Sequence, residues 1–271
     1  INTNFLSTVI FYYRRKIFQG KIFTSEKGKL KIFQLDMEGN IELTIIIPCY
    51  NEEGNLEETI KRISLPENLA YEIIIVNDGS QDKTKEIAEK IVRENKKAKL
   101  LNFAENKGKT LGLKEALSHA QGKIIIIHDA DLTVAPEYIS LFYNQACKSE
   151  PTFFIGTRFK FKIEKSTMPL KNLISNKITA KIFSLLLSQK ITDTLCGTKL
   201  FPKELIEFIN FSSCRWPDFD LIVAAKKAGL TIREIPVRYS PRKYGTSKMK
   251  IYPDSWQLFK RLLKAIWELK I

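Results

Sequence analysis

Histidine and cysteine are scarce in this chain, and what is missing narrows its chemistry. Among 271 residues there are 2 histidines, His119 and His128, and 4 cysteines, Cys49, Cys147, Cys196 and Cys214. No CxxC pair occurs and no histidine lies near a cysteine in sequence, which argues against structural zinc and reads as a reduced, cytosolic chain. Any metal would be a hard cation on carboxylates. Glycine (12) and proline (10) are too few for disorder or low complexity, and no internal repeat is visible. No apolar run approaches the ~18–20 residues that span a bilayer, and the first residues lack the pattern of a signal peptide. Acidic residues are also in short supply: the net charge is +14. Residues 1–40 carry +4, residues 41–150 carry −4 and residues 151–271 carry +14. The excess in the last segment suits an anionic surface or substrate.

What is present is a core-forming chain, 44% hydrophobic, long enough for one large domain. "LTIIIPCYNEEGN" (43–55) reads as a buried strand stopped by Pro48, which cannot donate to a ladder. "NLEETIKRIS" (55–64) reads as a helix with acids in its first turn. The pattern repeats with a strand at 72–76 and a helix from about Asp82, then a short strand, loop and helix over 98–122. "KIIIIHDADLT" (123–133) is a fourth strand and "TFFIGTR" (152–158) another. Strands that are apolar on both faces and alternate with helices predict a mostly parallel α/β sheet covered on both sides. Ligands of such sheets bind beyond the carboxyl ends of the strands. Three polar clusters fall there: Tyr50–Asn51–Glu52, Asn77–Asp78–Gly79 and Asp129–Asp131.

Asp129 and Asp131 stand two apart at a strand end and can point to one side, where a shared divalent ion would remove their repulsion. The alternative is a solvated turn. Asp78 could accept from a nucleobase or ribose, or close a turn with Gly79 at positive φ. His128 is read as the strand end rather than a third ligand. "NKGKTLG" (106–112) has the look of a phosphate loop but lacks the spacing GxxxxGK[ST], and no strand ends directly before it. Two later segments, "PLKNLISNKITAKIFSLLLSQ" (169–189) and "SWQLFKRLLKAIWELKI" (255–271), are basic and amphipathic. They either pack on the sheet or lie in a membrane interface.

Six segments in order, "IIIPCYNEE", "EIIIVNDGSQDKT", "DADLT", "GTR", "DTLCGTKLF" and "YSPRKYGTSKMK", resemble the family 2 glycosyltransferases. They look most like the branch of dolichyl-phosphate mannose and glucose synthases and their bacterial polyprenyl-phosphate relatives, over about residues 43–260. The resemblance implies a GT-A fold, a nucleotide-diphosphate sugar donor (UDP- or GDP-hexose), Mg²⁺ or Mn²⁺ as cofactor, and inversion at the anomeric carbon. It implies that Pro48, Tyr50, Glu52 and Asp78 contact the nucleoside. Asp129 and Asp131 would hold metal and diphosphate. Arg158, with Lys171 and Ser175, would face an acceptor phosphate, and Arg242, Ser247 and Lys248 would close over the donor. Thr198 stands where relatives often carry Phe, and Thr133 where the mannose synthases usually have Gln; both bear on which sugar is used.

These readings divide the chain into an N-terminal extension of unclassified pattern (1–40), a GT-A domain (41–250) and a C-terminal amphipathic helix (251–271). The expected activity is metal-dependent hexose transfer to a polyprenyl phosphate, at the cytoplasmic face of a membrane to which the protein is peripheral. A hydroxyl acceptor would instead need a general base, for which Asp193 and Asp220 are the candidates. Nucleic acid is not an expected partner, because carboxylates at three strand ends would repel its phosphates.

Overall fold

The computed structural model describes residues 21–26, 29–34, 41–161, 167–246, 248 and 251–269. Near the N-terminus, β1 (Lys21–Glu26) and β2 (Lys29–Gln34) form a separate antiparallel pair, Lys21 opposite Gln34 and Glu26 opposite Lys29. The main sheet has seven strands: β3 (Leu43–Cys49), β4 (Tyr71–Asp78), β5 (Ala98–Phe103), β6 (Ile124–Ile127), β7 (Thr152–Thr157), β8 (Lys199–Pro202) and β9 (Thr231–Pro236). Their spatial order is β5-β4-β3-β6-β8-β7-β9. Only β8 runs against its neighbours, pairing antiparallel with both β6 and β7. This is the mostly parallel sheet that the alternating pattern predicts.

The isoleucine runs build its centre. Ile45, Ile46, Ile47, Ile74, Ile75, Ile125 and Ile126 are completely buried, as expected of strands covered on both faces. Around them pack α1 (Leu56–Lys61), α2 (Thr84–Glu94), α3 (Lys109–His119), α4 (Tyr138–Cys147), α5 (Leu170–Leu186), α6 (Asp218–Lys227) and α7 (Ile251–Glu268), with a 3₁₀ turn at Lys203–Phe208.

Pro48 does not end its strand: β3 continues to Cys49, with Pro48 opposite Val76. The Ile46 carbonyl accepts from His128 N on the β6 side. Pro48 has the same parity and points to that side beyond the last residue of β6, so its missing N–H leaves no acceptor unpaired. β1 and β2, within the unclassified N-terminal stretch, escape the sequence pattern, and so do three later elements. β8 is only four residues long and contains the fully buried Lys199. α4 carries no strong amphipathic stripe. α6 is buried at all eight positions from Asp218 to Ala225, so it has no polar face to reveal its period.

The α6 helix lies between its neighbours. Phe219 meets Phe183 of α5, ring centroids 4.9 Å apart, and α7 packs on α6, with its Leu258, Leu262 and Ala265 buried. Asp220 of α6 and Arg261 of α7 form an ion pair in which both side chains are almost fully buried. Removing one partner of such a pair strands the other charge. We expect Arg261→Met to lower stability by about 3–5 kcal/mol, measured by urea unfolding.

Candidate active site

Five parallel strands deliver the site residues. β3 leads into Tyr50 and Glu52, β4 ends on Asp78, β6 leads into Asp129 and Asp131, β7 into Arg158, and β9 into Tyr239 and Arg242. They line one cavity of about 570 Å³, within the range of ligand pockets. Pro48, Lys171, Ser175 and Lys248 line it as well. Ser247 lies outside the described residues.

The aspartate pair carries its own counter-charges. Asp129 Oδ1 accepts from Lys109 Nζ at 2.5 Å, and Asp131 Oδ2 from Arg242 Nη2 at 2.5 Å. Asp131 Oδ1 also accepts from the backbone N (3.0 Å) and hydroxyl (2.6 Å) of Thr133. Burial pushes the Asp129 carboxyl up, but the adjacent Lys109 outweighs it and holds it below the usual range. The turn that aims the pair is strained, with Leu132 at φ +58°, a region a branched side chain seldom adopts. Gly197 lies under Asp129 so closely that a Cβ there would land on the carboxylate.

Lys109 was not among the sequence candidates. It belongs to "NKGKTLG", and the signal that could have found it was the loop's glycine: Gly108 sits at φ +91° directly before α3. The same loop explains Asp78, whose two oxygens accept from the backbone N–H groups of Lys107 (2.7 Å) and Gly108 (2.9 Å). Asp78 therefore clamps the loop that carries Lys109, while still lining the cavity. Gly79 does take positive φ, +66°.

Glu52 sits behind the pair. Burial, with a further push from Asp131, raises its carboxyl to about 7, against the hydrogen bond from Asn55 and the charges of Arg242 and Lys248. Arg242 bridges Glu52 (3.5 Å) and Asp131. Its segment crosses the cavity and is fastened to the β3 loop: Tyr244 donates to Glu53 at 2.6 Å, its ring covers Gly54, and Lys248 Nζ donates to the Asn51 carbonyl at 3.1 Å.

At the other end, Arg158 is held by Asp193 through Nε (2.7 Å) and Nη2 (2.9 Å). Asn176 of α5 also donates to Asp193, at 2.7 Å. Asp193 is fully buried and does not line the cavity; Arg158 outweighs the effect of burial and keeps its carboxyl below the ordinary range. Asp220 is likewise taken, by Arg261 and by Ser212. Neither carboxylate reaches the cavity as a base, which corrects the expectation for both: each neutralises a buried arginine. Trp216 and Asp218 also line the cavity without having been candidates. Trp216 Nε1 is buried without a partner among the described residues, a donor free for a ligand. Asp218 pairs with the buried Lys199.

Residues 44–209 match the family described as glycosyl transferase family 2, which spans more than half of the chain. The chain belongs to glycosyl transferase family 2. It is 32% identical over 229 residues to a dolichyl-phosphate beta-glucosyltransferase of Trichomonas vaginalis, covering 78% of this chain and 69% of that protein. It is 24% identical to glycosyltransferase AglD of Haloferax volcanii, over 85% of this chain and 38% of the relative. Its fold matches glucosyl-3-phosphoglycerate synthase of Mycobacterium tuberculosis with phosphoglyceric acid at a TM-score of 0.66 and 19% identity, over 83% and 79% of the two chains. The same enzyme with Mn²⁺, uridine diphosphate and glucosyl-3-phosphoglycerate matches at 0.64 and 19%, over the same shares. This glycosyltransferase has its carboxylates, cations and cavity at the carboxyl edge of the sheet.

Two outcomes check the geometry. Gly197→Ala should push Asp129 aside and cut transfer roughly 10–100-fold, with the melting temperature little changed. Asp193→Asn should cost about 3 kcal/mol at neutral pH. Because the Asp193 pKa is lowered in the fold, its contribution is complete above the ordinary carboxylate range and fades as pH falls through it. The stability gap between wild type and variant should then close in acid, as read by urea unfolding across pH.

Proposed function

We propose that this glycosyltransferase moves a hexose from a nucleoside-diphosphate sugar to a polyprenyl phosphate, with inversion. One observation carries the reading: the acceptor end offers Arg158 and the exposed Lys171 to an anion, while Asp193 and Asp220, the carboxylates expected to serve as a base, are spent on buried arginines. A hydroxyl acceptor needs a base. A phosphate acceptor is already anionic and needs only to be positioned. The similarity to dolichyl-phosphate beta-glucosyltransferases supports the same acceptor class. Neighbours crystallised with UDP-glucose and Mn²⁺ make UDP-glucose the first donor to try.

Pro48, Tyr50, Glu52 and Asp78 line the donor end, where the nucleoside would sit. Asp129 and Asp131 would hold Mg²⁺ or Mn²⁺. No group of three or more His, Cys, Asp or Glu side chains suited to a metal occurs among the described residues. Two carboxylates fit a hard cation that shares its remaining positions with phosphate oxygens. Such an ion supplies charge neutralisation at the leaving diphosphate. Lys109, Arg242 and Lys248 add fixed positive charge around the same place, where negative charge grows as the sugar–phosphate bond breaks. Arg158, locked by Asp193, and Lys171, with Ser175 beside it, would hold the acceptor phosphate on the opposite side of the sugar. The segment fastened by Tyr244 to Glu53 would keep water from the reacting carbon.

A second reading, transfer to a soluble phosphorylated acceptor, is favoured by the same cationic end and by the fold's likeness to an enzyme of phosphoglycerate. Incubation with labelled UDP-glucose and either a short-chain polyprenyl phosphate or 3-phosphoglycerate separates the two. Organic-extractable label supports the lipid acceptor; exclusively water-soluble product overturns it. Label formed equally in excess EDTA overturns the metal role. Asp131→Asn should lower transfer at least ~100-fold, while calorimetry shows a modest change in melting temperature. A large loss of stability with activity per folded molecule intact would make Asp131 structural.

A further inference from the structure

The two aspartates that would take a divalent ion are neutralised, one for one, by the protein's own cations. Asp129 pairs with Lys109 at 2.5 Å and Asp131 with Arg242 at 2.5 Å. Two carboxylates, one ammonium and one guanidinium sum to zero. A divalent ion added to this quartet would leave two positive charges uncompensated in a partly buried cavity, and a diphosphate added by itself would leave two negative ones. Only the two together keep the balance.

The cations are mounted differently. The backbone on both sides of Lys109 is clamped: Asp78 takes the amides of Lys107 and Gly108, while Thr110 donates its N–H to the Arg215 carbonyl (3.1 Å) and its hydroxyl to the Cys214 carbonyl (2.6 Å). Lys109 therefore stays beside Asp129, but its ammonium is a point charge on a flexible stem and can turn from a carboxylate to a phosphate. Arg242 rides on a segment fastened to the residues after β3. Lys243 reaches Glu58 at 2.7 Å, Tyr244 reaches Glu53 and Lys248 reaches the Asn51 carbonyl. Exposed contacts of this kind are weak, so this segment is the releasable part. Arg242 Nη1 is buried, lies 3.5 Å from Glu52 and makes no hydrogen bond among the described residues. A guanidinium with an unused N–H is ready to bind a second anion.

We propose that Lys109 and Arg242 are stand-in cations: they hold the places of a divalent ion on Asp129 and Asp131, and yield them when a diphosphate arrives to receive both. The free ion then binds poorly, while ion and nucleotide bind cooperatively, each raising the affinity for the other by the same factor. The cooperativity rests on the nucleoside-diphosphate donor of the proposed function; the stand-in role rests on the ion pairs.

Mn²⁺ binding to the full chain, followed by electron paramagnetic resonance of the free ion, tests both. With Mn²⁺ alone, Lys109→Met and Arg242→Gln should each bind roughly tenfold more tightly than wild type, because each frees one carboxylate. Lys90→Met, which removes an exposed lysine paired with Glu57, should match wild type. UDP or GDP should tighten Mn²⁺ binding to wild type by a factor within the roughly 5–150-fold range of coupled sites, and by less in either variant. Variants that bind Mn²⁺ alone no better than wild type overturn the proposal, since losing a merely structural cation would weaken the ion site or leave it unchanged. An equal gain in Lys90→Met also overturns it, by reducing the effect to net charge. If one variant does not fold, the other decides. Tightening in the variants, with no effect of either nucleotide on wild type, would refute the nucleotide donor and leave the role of the two cations standing.

Discussion

Five carboxylates converge on one edge of the sheet, and their mutual repulsion is the constraint around which the site is built. Glu52, Asp78, Asp129, Asp131 and Asp218 all line a single cavity, which without compensation would be costly. Each receives a partner from a different part of the chain. Lys109 comes from the start of α3, Arg242 from the segment after β9, and Lys199 from β8. Asp78 takes the amides of the loop before Lys109. The loops around the cavity thus hold their shapes because each places a donor on a carboxylate.

The compensation works differently at the two ends. Around the aspartate pair the carboxylates are partly open to the cavity, and their cations come from the start of α3 and the segment after β9, an arrangement a charged ligand can reorganise. Around Arg158 and beneath α7 the charges are sealed: Asp193 holds Arg158 from behind, and Asp220 holds Arg261. A fully desolvated pair is costly to break, so Arg158 is presented at a fixed angle and α7 is fixed to α6. Stability and positioning come from the same bonds there. The strained turn at Leu132 is the counterpart beside the aspartate pair, where backbone conformation aims Asp131.

How much was legible beforehand follows from which interactions are local. The isoleucine runs announced β3, β4 and β6, because strands buried on both faces have continuous apolar sequence. Residues directly beyond those strands, Tyr50, Glu52, Asp78, Asp129 and Asp131, could be named at once because a parallel sheet sends its strand ends to one edge. Lys109 was hidden, since nothing in "NKGKTLG" tells how far its lysine reaches. Asp193 and Asp220 looked like free carboxylates because their arginines lie 35 and 41 residues away in sequence. The α6 helix, buried all round, lacked the polar face from which a helical period is read.

The sequence by itself determined the parallel strands β3 to β7 and their strand-end residues, because period, apolar run length and strand polarity act over a few residues. It also determined that the last 120 or so residues are basic and that two of their helices are amphipathic. Only the tertiary structure decided which charges pair, and so which carboxylates are open to a ligand and which are spent on a buried arginine. It also decided which side of α7 faces the protein. A helical period shows that an apolar stripe exists, but α7 has two, and only packing against α6 determines which is covered.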